Sequence, residues 1–300
     1  MNSRAVAVFL AVAFGLAYLI DAVVAATDSL GTALGLGLIL VRMLTPLVAT
    51  VVVCRWVTHE RWPVVVGLGR ASLTDGRWRR VLAYSLLGIV LVAATTFLAT
   101  GAAILGGWLI PDWAMSATLQ KSLDAGAGTL PPAPVLAALF LVQATLFGAT
   151  INALFALGEE VGWRGWLHTA LEPLGPVPTV GLTGLVWGLW HAPLIMMGYN
   201  YDDQLNPVLA VGAFTLFCMV FGAVLTWLRT VSASVIPAAV AHGVFNAFST
   251  LPAVLVASGD TWDRVMAGPV GLPTAVIFAA VAALLWAVGG ARVGTRALSR

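Results

Sequence analysis

The chain has 300 residues, 60% of them hydrophobic and 9% charged, with a formal net charge of +2. Soluble domains carry roughly 25% charged residues, so this surface is not one that water can solvate, and the bulk solvent is lipid. The small net charge gives no support to a nucleic-acid partner. The two isolated cysteines, Cys54 and Cys218, have neither metal-ligand nor disulfide spacing and read as small buried apolar residues.

A bilayer crossing needs about 20 apolar residues, and the pattern predicts about eight of them: 5–26, 31–54, 81–110, 140–170, 178–198, 207–228, 233–256 and 269–290. The first has the outline of a signal peptide, with Arg4 ahead of it and Val24-Ala25-Ala26 at its end. Its apolar run from Ala5 to Ile20 exceeds the usual h-region of about 7–15 residues, so it is read as a retained helix. The second span leads into a loop that gathers Arg55, Arg61, Arg70, Arg77, Arg79 and Arg80 with Trp56, Trp62 and Trp78, residue types that suit an anionic headgroup zone. The stretch 133–171 is too long for one straight span, and an outer extension or a break near Gly148 absorbs the excess.

Positive charge sets orientation. With the N-terminus in the cytoplasm, the inner segments hold Arg4, the 55–80 arginines, Arg229, Arg292, Arg296 and Arg300. The outer ones hold only Lys121 and Arg264, alongside Asp28, Asp112, Asp124, Asp202, Asp203, Asp260 and Asp263. The expected fold is therefore an all-α, polytopic integral membrane protein in the cell membrane. It forms a single membrane domain over 1–300, with both termini cytoplasmic.

Ionisable residues inside a bilayer are costly and mark functional sites by default. On the fourth span, Gly158-Glu159-Glu160-Val161-Gly162-Trp163-Arg164 places Glu160 and Arg164 four apart on one face, acid before base. Glu159 is turned about 140° from Arg164 and is left available as a general base. On the fifth, Trp187 and His191 share a face, with Gly188 and Pro193 marking a deformable helix. On the seventh, His242 and Asn246 share a face beside Gly243, which permits close helix approach; an imidazole and an amide so placed are donors for a developing oxyanion. Counted from the cytoplasmic ends at 1.5 Å per residue, Glu159 lies about 15 Å deep, His191 about 20 Å and His242 about 14 Å, all within one slab. Asp21 and Arg42 form a separate group, read as a structural ion pair. His168 reads as an interfacial residue, and His59 as a loop residue.

These motifs resemble those of the CPBP family of intramembrane proteases, which includes CaaX-processing endopeptidases and bacteriocin-processing or immunity proteins. The family pattern is Glu-Glu-x-x-x-Arg, then aromatic-x-x-x-His, then His-x-x-x-Asn or Asp. Here it is matched by Glu159, Glu160 and Arg164, by Trp187 and His191, and by His242 and Asn246, with Trp187 standing where Phe is commoner. The resemblance implies peptide-bond hydrolysis in the membrane, with 140–256 as the catalytic helix core and a peptide or membrane-anchored protein as substrate. Glu159 and His191 would activate water, His242 and Asn246 would stabilise the oxyanion, and Glu160 and Arg164 would support the site with Trp187. Two His and a Glu could bind zinc, but there is no His-Glu-x-x-His motif, and a cofactor-free glutamate mechanism is preferred. A transporter and a catalytically silent immunity or binding protein are the competing classes.

Overall fold

The computed structural model describes residues 1–68, 77–116, 131–202, 204–257 and 262–297, with side chains through 289. Arg70, Lys121, Asp124, Asp203, Asp260 and Arg300, together with most of the loop 111–133, lie outside the described residues, as do the side chains of Arg292 and Arg296.

The described residues are helical, with a single isolated bridge between Pro111 and Val256. Helix α1 (Ser3–Ala26) starts where Asn2 accepts the Ala5 backbone N–H at 3.1 Å. Helix α2 (Ala33–Arg42) starts where Thr32 does the same for Gly35 at 3.2 Å. These side chains supply acceptors that the first helical turn lacks. Helix α3 (Thr45–Val53) follows after two residues and ends in a π-helical turn, Cys54–Thr58. Helix α4 spans Arg77–Leu105. Helix α5 (Ala133–Phe147) passes through a π segment, Gly148–Asn152, into α6 (Ala153–Glu160), and a second π segment, Val161–Leu167, follows. Next come α7 (Pro176–Trp190), the short α8 (Ala192–Met196), α9 (Pro207–Ser232), α10 (Ile236–Phe248), α11 (Leu251–Leu255) and α12 (Leu272–Ala297).

Among the described residues, seven helical stretches are long and apolar enough to cross a membrane. The difference from the eight expected lies at 178–198. There the chain breaks at His191, leaving α7 with 15 residues and α8 with 5. Pro193 has no N–H for the Leu189 carbonyl, so the regular ladder cannot continue. The carbonyls around the break are taken by side chains instead. The Tyr18 hydroxyl donates to Leu189 at 2.9 Å, Arg42 donates to Trp190, and His191 Nδ1 lies 3.0 Å from the Trp187 oxygen.

A continuous apolar core joins α1, α3, α7, α9, α10 and α12 around Phe9, Trp163, Trp190, Phe217, Phe221 and Phe278, all fully buried. Phe9 of α1 stacks on Trp166 with centroids 4.8 Å apart and meets Trp163 edge-on at 5.7 Å. Two glycines set helix spacing. A Cβ at Gly188 would stand 2.5 Å from the Cα of Thr215 on α9. One at Gly243 would stand 2.3 Å from the Ala153 nitrogen and 2.4 Å from the Gly148 oxygen. Backbone therefore packs on backbone at both places, as small residues permit inside lipid. Both cysteines are free and buried. His168 is 8% exposed, and its Nε2 sits 3.6 Å from Glu172. Its turn packs inward against the α7 segment, which closes over it.

Candidate active site

Glu159 and Glu160 close α6 between the two π segments. Each such segment adds a residue to a turn and re-phases the side chains beyond it, a device that recurs at functional sites. The two neighbouring acids thereby take different partners. Glu160 is fully buried, and its Oε1 accepts Arg164 Nη1 at 2.9 Å and lies 2.8 Å from His242 Nδ1. Among the described residues, Glu159 makes no ion pair with an arginine. Its Oε2 accepts the Trp187 indole N–H at 2.7 Å. The helix-face reasoning that separated a paired Glu160 from an available Glu159 thus corresponds to what the structure shows of their contacts.

Glu159, Trp187, His191, His242 and Asn246 all line one cavity of about 260 Å³. Phe214, Phe217, Phe221 and Phe245 form much of its apolar wall. Glu160 and Arg164 stand behind this wall and touch it through His242 and Trp187. Arg164 lies with Cζ 4.1 Å from the Trp187 ring centroid, and the Trp187 and His242 rings are 5.2 Å apart.

Both imidazoles are oriented through Nδ1. His191 directs it at the Trp187 carbonyl, an acceptor, so Nδ1 carries the proton there and Nε2 keeps a lone pair. His242 directs Nδ1 at a carboxylate and likewise donates. His242 Nε2 then becomes a donor only in the imidazolium form. The lone pair on each Nε2 would suit metal ligation, and the contacts at Nδ1 are of the kind that orient ligating histidines. Yet among the described residues no three His, Cys, Asp or Glu side chains are grouped to hold a metal ion.

Sequence reasoning missed part of the wall. Asn152 lies seven residues before Glu159, a spacing that puts both on one helical face, and it lines the cavity with Tyr199 and Asn200. Trp187 reads from sequence as a packing residue, whereas it donates to Glu159 and accepts from His191. Arg42 is ion-paired to Asp21 at 2.6 Å as expected, and it lines the cavity as well.

Comparison with known proteins adds two findings. Residues 139–248 match the family model described as type II CAAX prenyl endopeptidase Rce1-like. Over 105 residues, 34% of this chain, the sequence is 31% identical to "CAAX prenyl protease 2" of Methanococcus maripaludis, and the match spans 39% of that protein's length. The stretch of chain that carries all three motifs is therefore similar to Rce1-like endopeptidase domains, and the match spans well under half of either protein.

Proposed function

We propose that the protein is an intramembrane endopeptidase that hydrolyses a peptide bond in a peptide or membrane-anchored protein, using water activated by Glu159. The observation that carries this reading is the convergence, in one apolar-walled cavity, of a carboxylate held by an indole N–H with two oriented imidazoles and an amide. The Rce1-like match and the relative named a CAAX prenyl protease support the same chemistry. Their substrates are those proteins' own. For this chain the substrate class is a peptide or a membrane-protein segment, and the catalytic core lies within 140–256. The inner, arginine-rich segments and both termini are assigned to the cytoplasm, and the membrane to the cell membrane.

In the reaction, a water held between Glu159 and His191 Nε2 gives a proton to the Glu159 carboxylate as its oxygen attacks the carbonyl carbon. The carbonyl oxygen becomes an oxyanion, to which the His242 imidazolium and the Asn246 amide donate. Glu160 and Arg164 hold His242 in place. Collapse of the tetrahedral intermediate breaks the C–N bond, and the proton on Glu159 passes to the leaving amine, returning the carboxylate. The products are a carboxylic acid and an amine. Aromatic walls exclude other water, so the charges act at low dielectric.

The test is cleavage of membrane-partitioned reporter peptides by the purified protein in nanodiscs, read by mass spectrometry. Wild type cuts at a defined bond and Glu159→Ala does not. Equal cleavage by both, or none by wild type across a broad peptide set, overturns the reading and favours an immunity or binding role.

A further inference from the structure

The cavity has a closed end and an open one. At the closed end stand Glu159, Trp187, Phe221 and His242, each 5% exposed or less. Behind them Glu160, Trp163, Arg164 and Leu167 are buried, so packed side chains form a floor. At the other end the lining passes to Leu36, Tyr199, Ser249 and Pro269. Leu36 is 60% exposed and Tyr199 37%, and Ser249 and Pro269 are half-buried. These four belong to the start of α2, the α8–α9 connection, the end of α10 and the approach to α12. Direct contacts hold these connections at one end of the bundle. Arg264 pairs with Asp202 at 2.5 Å, the Tyr201 hydroxyl donates to the Val270 carbonyl at 3.1 Å, and the Asp112 N–H donates to the Leu255 carbonyl at 2.7 Å.

Arginine marks the opposite end. Arg4 opens α1, Arg55 and Arg61 follow α3, Arg77, Arg79 and Arg80 open α4, and Arg229 stands in the last turn of α9. Glu60 and Glu172 are there as well. Among the described residues, the mouth end has Arg264, paired to Asp202, with Asp28, Asp112 and Asp263. Lys and Arg near the span ends decide which end stays in the cytoplasm, and acids contribute little. The floor of the cavity therefore faces the cytoplasm and its mouth faces away from it. A peptide extended for cleavage carries backbone groups that hydrocarbon cannot satisfy. The packed floor offers no passage to such a chain or to water, whereas the mouth does.

We propose that the cavity is served from the extracytoplasmic side, so that the substrate is a polypeptide segment presented at that surface and not a cytoplasmic tail. What enters the cavity rests on the endopeptidase reading, but the side from which it enters is measured without turnover.

The experiment uses the full chain with Cys54→Ala and Cys218→Ala, which removes both native thiols. One cysteine is then placed at the mouth, as Ser249→Cys, with Tyr199→Cys as the substitute should that variant not fold. Another is placed singly at the opposite end, as Glu172→Cys, where the side chain is 61% exposed. A membrane-impermeant maleimide is applied to intact cells and to inverted vesicles. The mouth cysteine should react in intact cells, and Glu172→Cys only in inverted vesicles. The reverse pattern, both cysteines reacting from one side, or a mouth cysteine that reacts only after denaturation, overturns the proposal. Wild-type vesicles of each orientation are also given a membrane-impermeant reporter peptide. Right-side-out vesicles should cut it, with that activity lost in inverted ones, and the opposite result overturns the proposal. Cleavage by neither, with the expected labelling, would count against the function proposed for Glu159 and leave the sidedness standing.

Discussion

The indole Nε1 of Trp187 donates to Oε2 of Glu159 across 2.7 Å, joining two helices through the residue assigned as the general base. Trp187 also receives His191 on its carbonyl and carries Arg164 against its ring. Trp187→Phe keeps the ring and removes the donor. Hydrogen bonds to a charged group are worth about 1.5–3 kcal/mol, so kcat should fall about 10- to 100-fold with KM little changed. An unaltered kcat would reduce Trp187 to a packing residue.

Glu160, Arg164 and His242 form a buried chain in which one carboxylate oxygen serves two donors. Arg164→Met leaves Glu160 without its permanent cation, and an uncompensated buried charge costs about 3–5 kcal/mol. The thermal midpoint of the purified protein should drop steeply. Combining it with Glu160→Gln should restore much of the midpoint without restoring hydrolysis, because His242 then lacks its anionic support. Additive losses of stability in the double variant would show that the two side chains do not act as a pair.

Gly243 sits beside His242 where α10 meets the backbone of Gly148 and Ala153. Gly243→Ala places a carbon where no gap exists, so α10 must shift and carry His242 away from Glu160. Both stability and activity should fall, with activity falling further. Gly212→Ala, at a site with open space around it, is the matched control and should change little. Circular dichroism melts and initial rates compare the two.

In the turn beyond α4, the Ser116 backbone N–H at 2.6 Å, helped by that of Ala114 at 2.9 Å, holds the Asp112 carboxyl below its ordinary range. A folded-state value below the unfolded one stabilises the turn at neutral pH, and this support is lost as pH falls through the folded value. Hydrogen exchange at 112–116, corrected for intrinsic rates, should show protection at neutral pH that declines below about pH 4. Asp112→Ala should lack it throughout. Protection independent of pH would mean the carboxylate does not hold the turn.

Much of this site is legible in the sequence because helical spacing is local. Glu160 with Arg164, Trp187 with His191 and His242 with Asn246 are each four apart, so their shared faces follow from geometry. Trp187, His191, His242 and Asn246 line one cavity with Glu159, and Glu160 and Arg164 stand behind its wall. What escaped was long-range or irregular. No spacing rule pairs Arg42 with the Trp190 carbonyl 148 residues away, and an indole N–H aimed at an acid looks, in sequence, like any aromatic. The π segments on either side of α6 and the full break at His191 depend on tertiary contacts, among them the Tyr18 hydroxyl on Leu189. Hydropathy counted eight crossings, and the break leaves seven continuous ones among the described residues.

The most direct test of the central claim is an experimental structure in lipid with a peptide ketone bound as its hydrate, a stand-in for the tetrahedral intermediate. One diol oxygen should lie within hydrogen-bond distance of Glu159 and His191, and the other within reach of His242 Nε2 and the Asn246 amide. A hydrate bound away from Glu159, or a Glu159 that keeps only its Trp187 contact while the peptide sits elsewhere, would contradict the account.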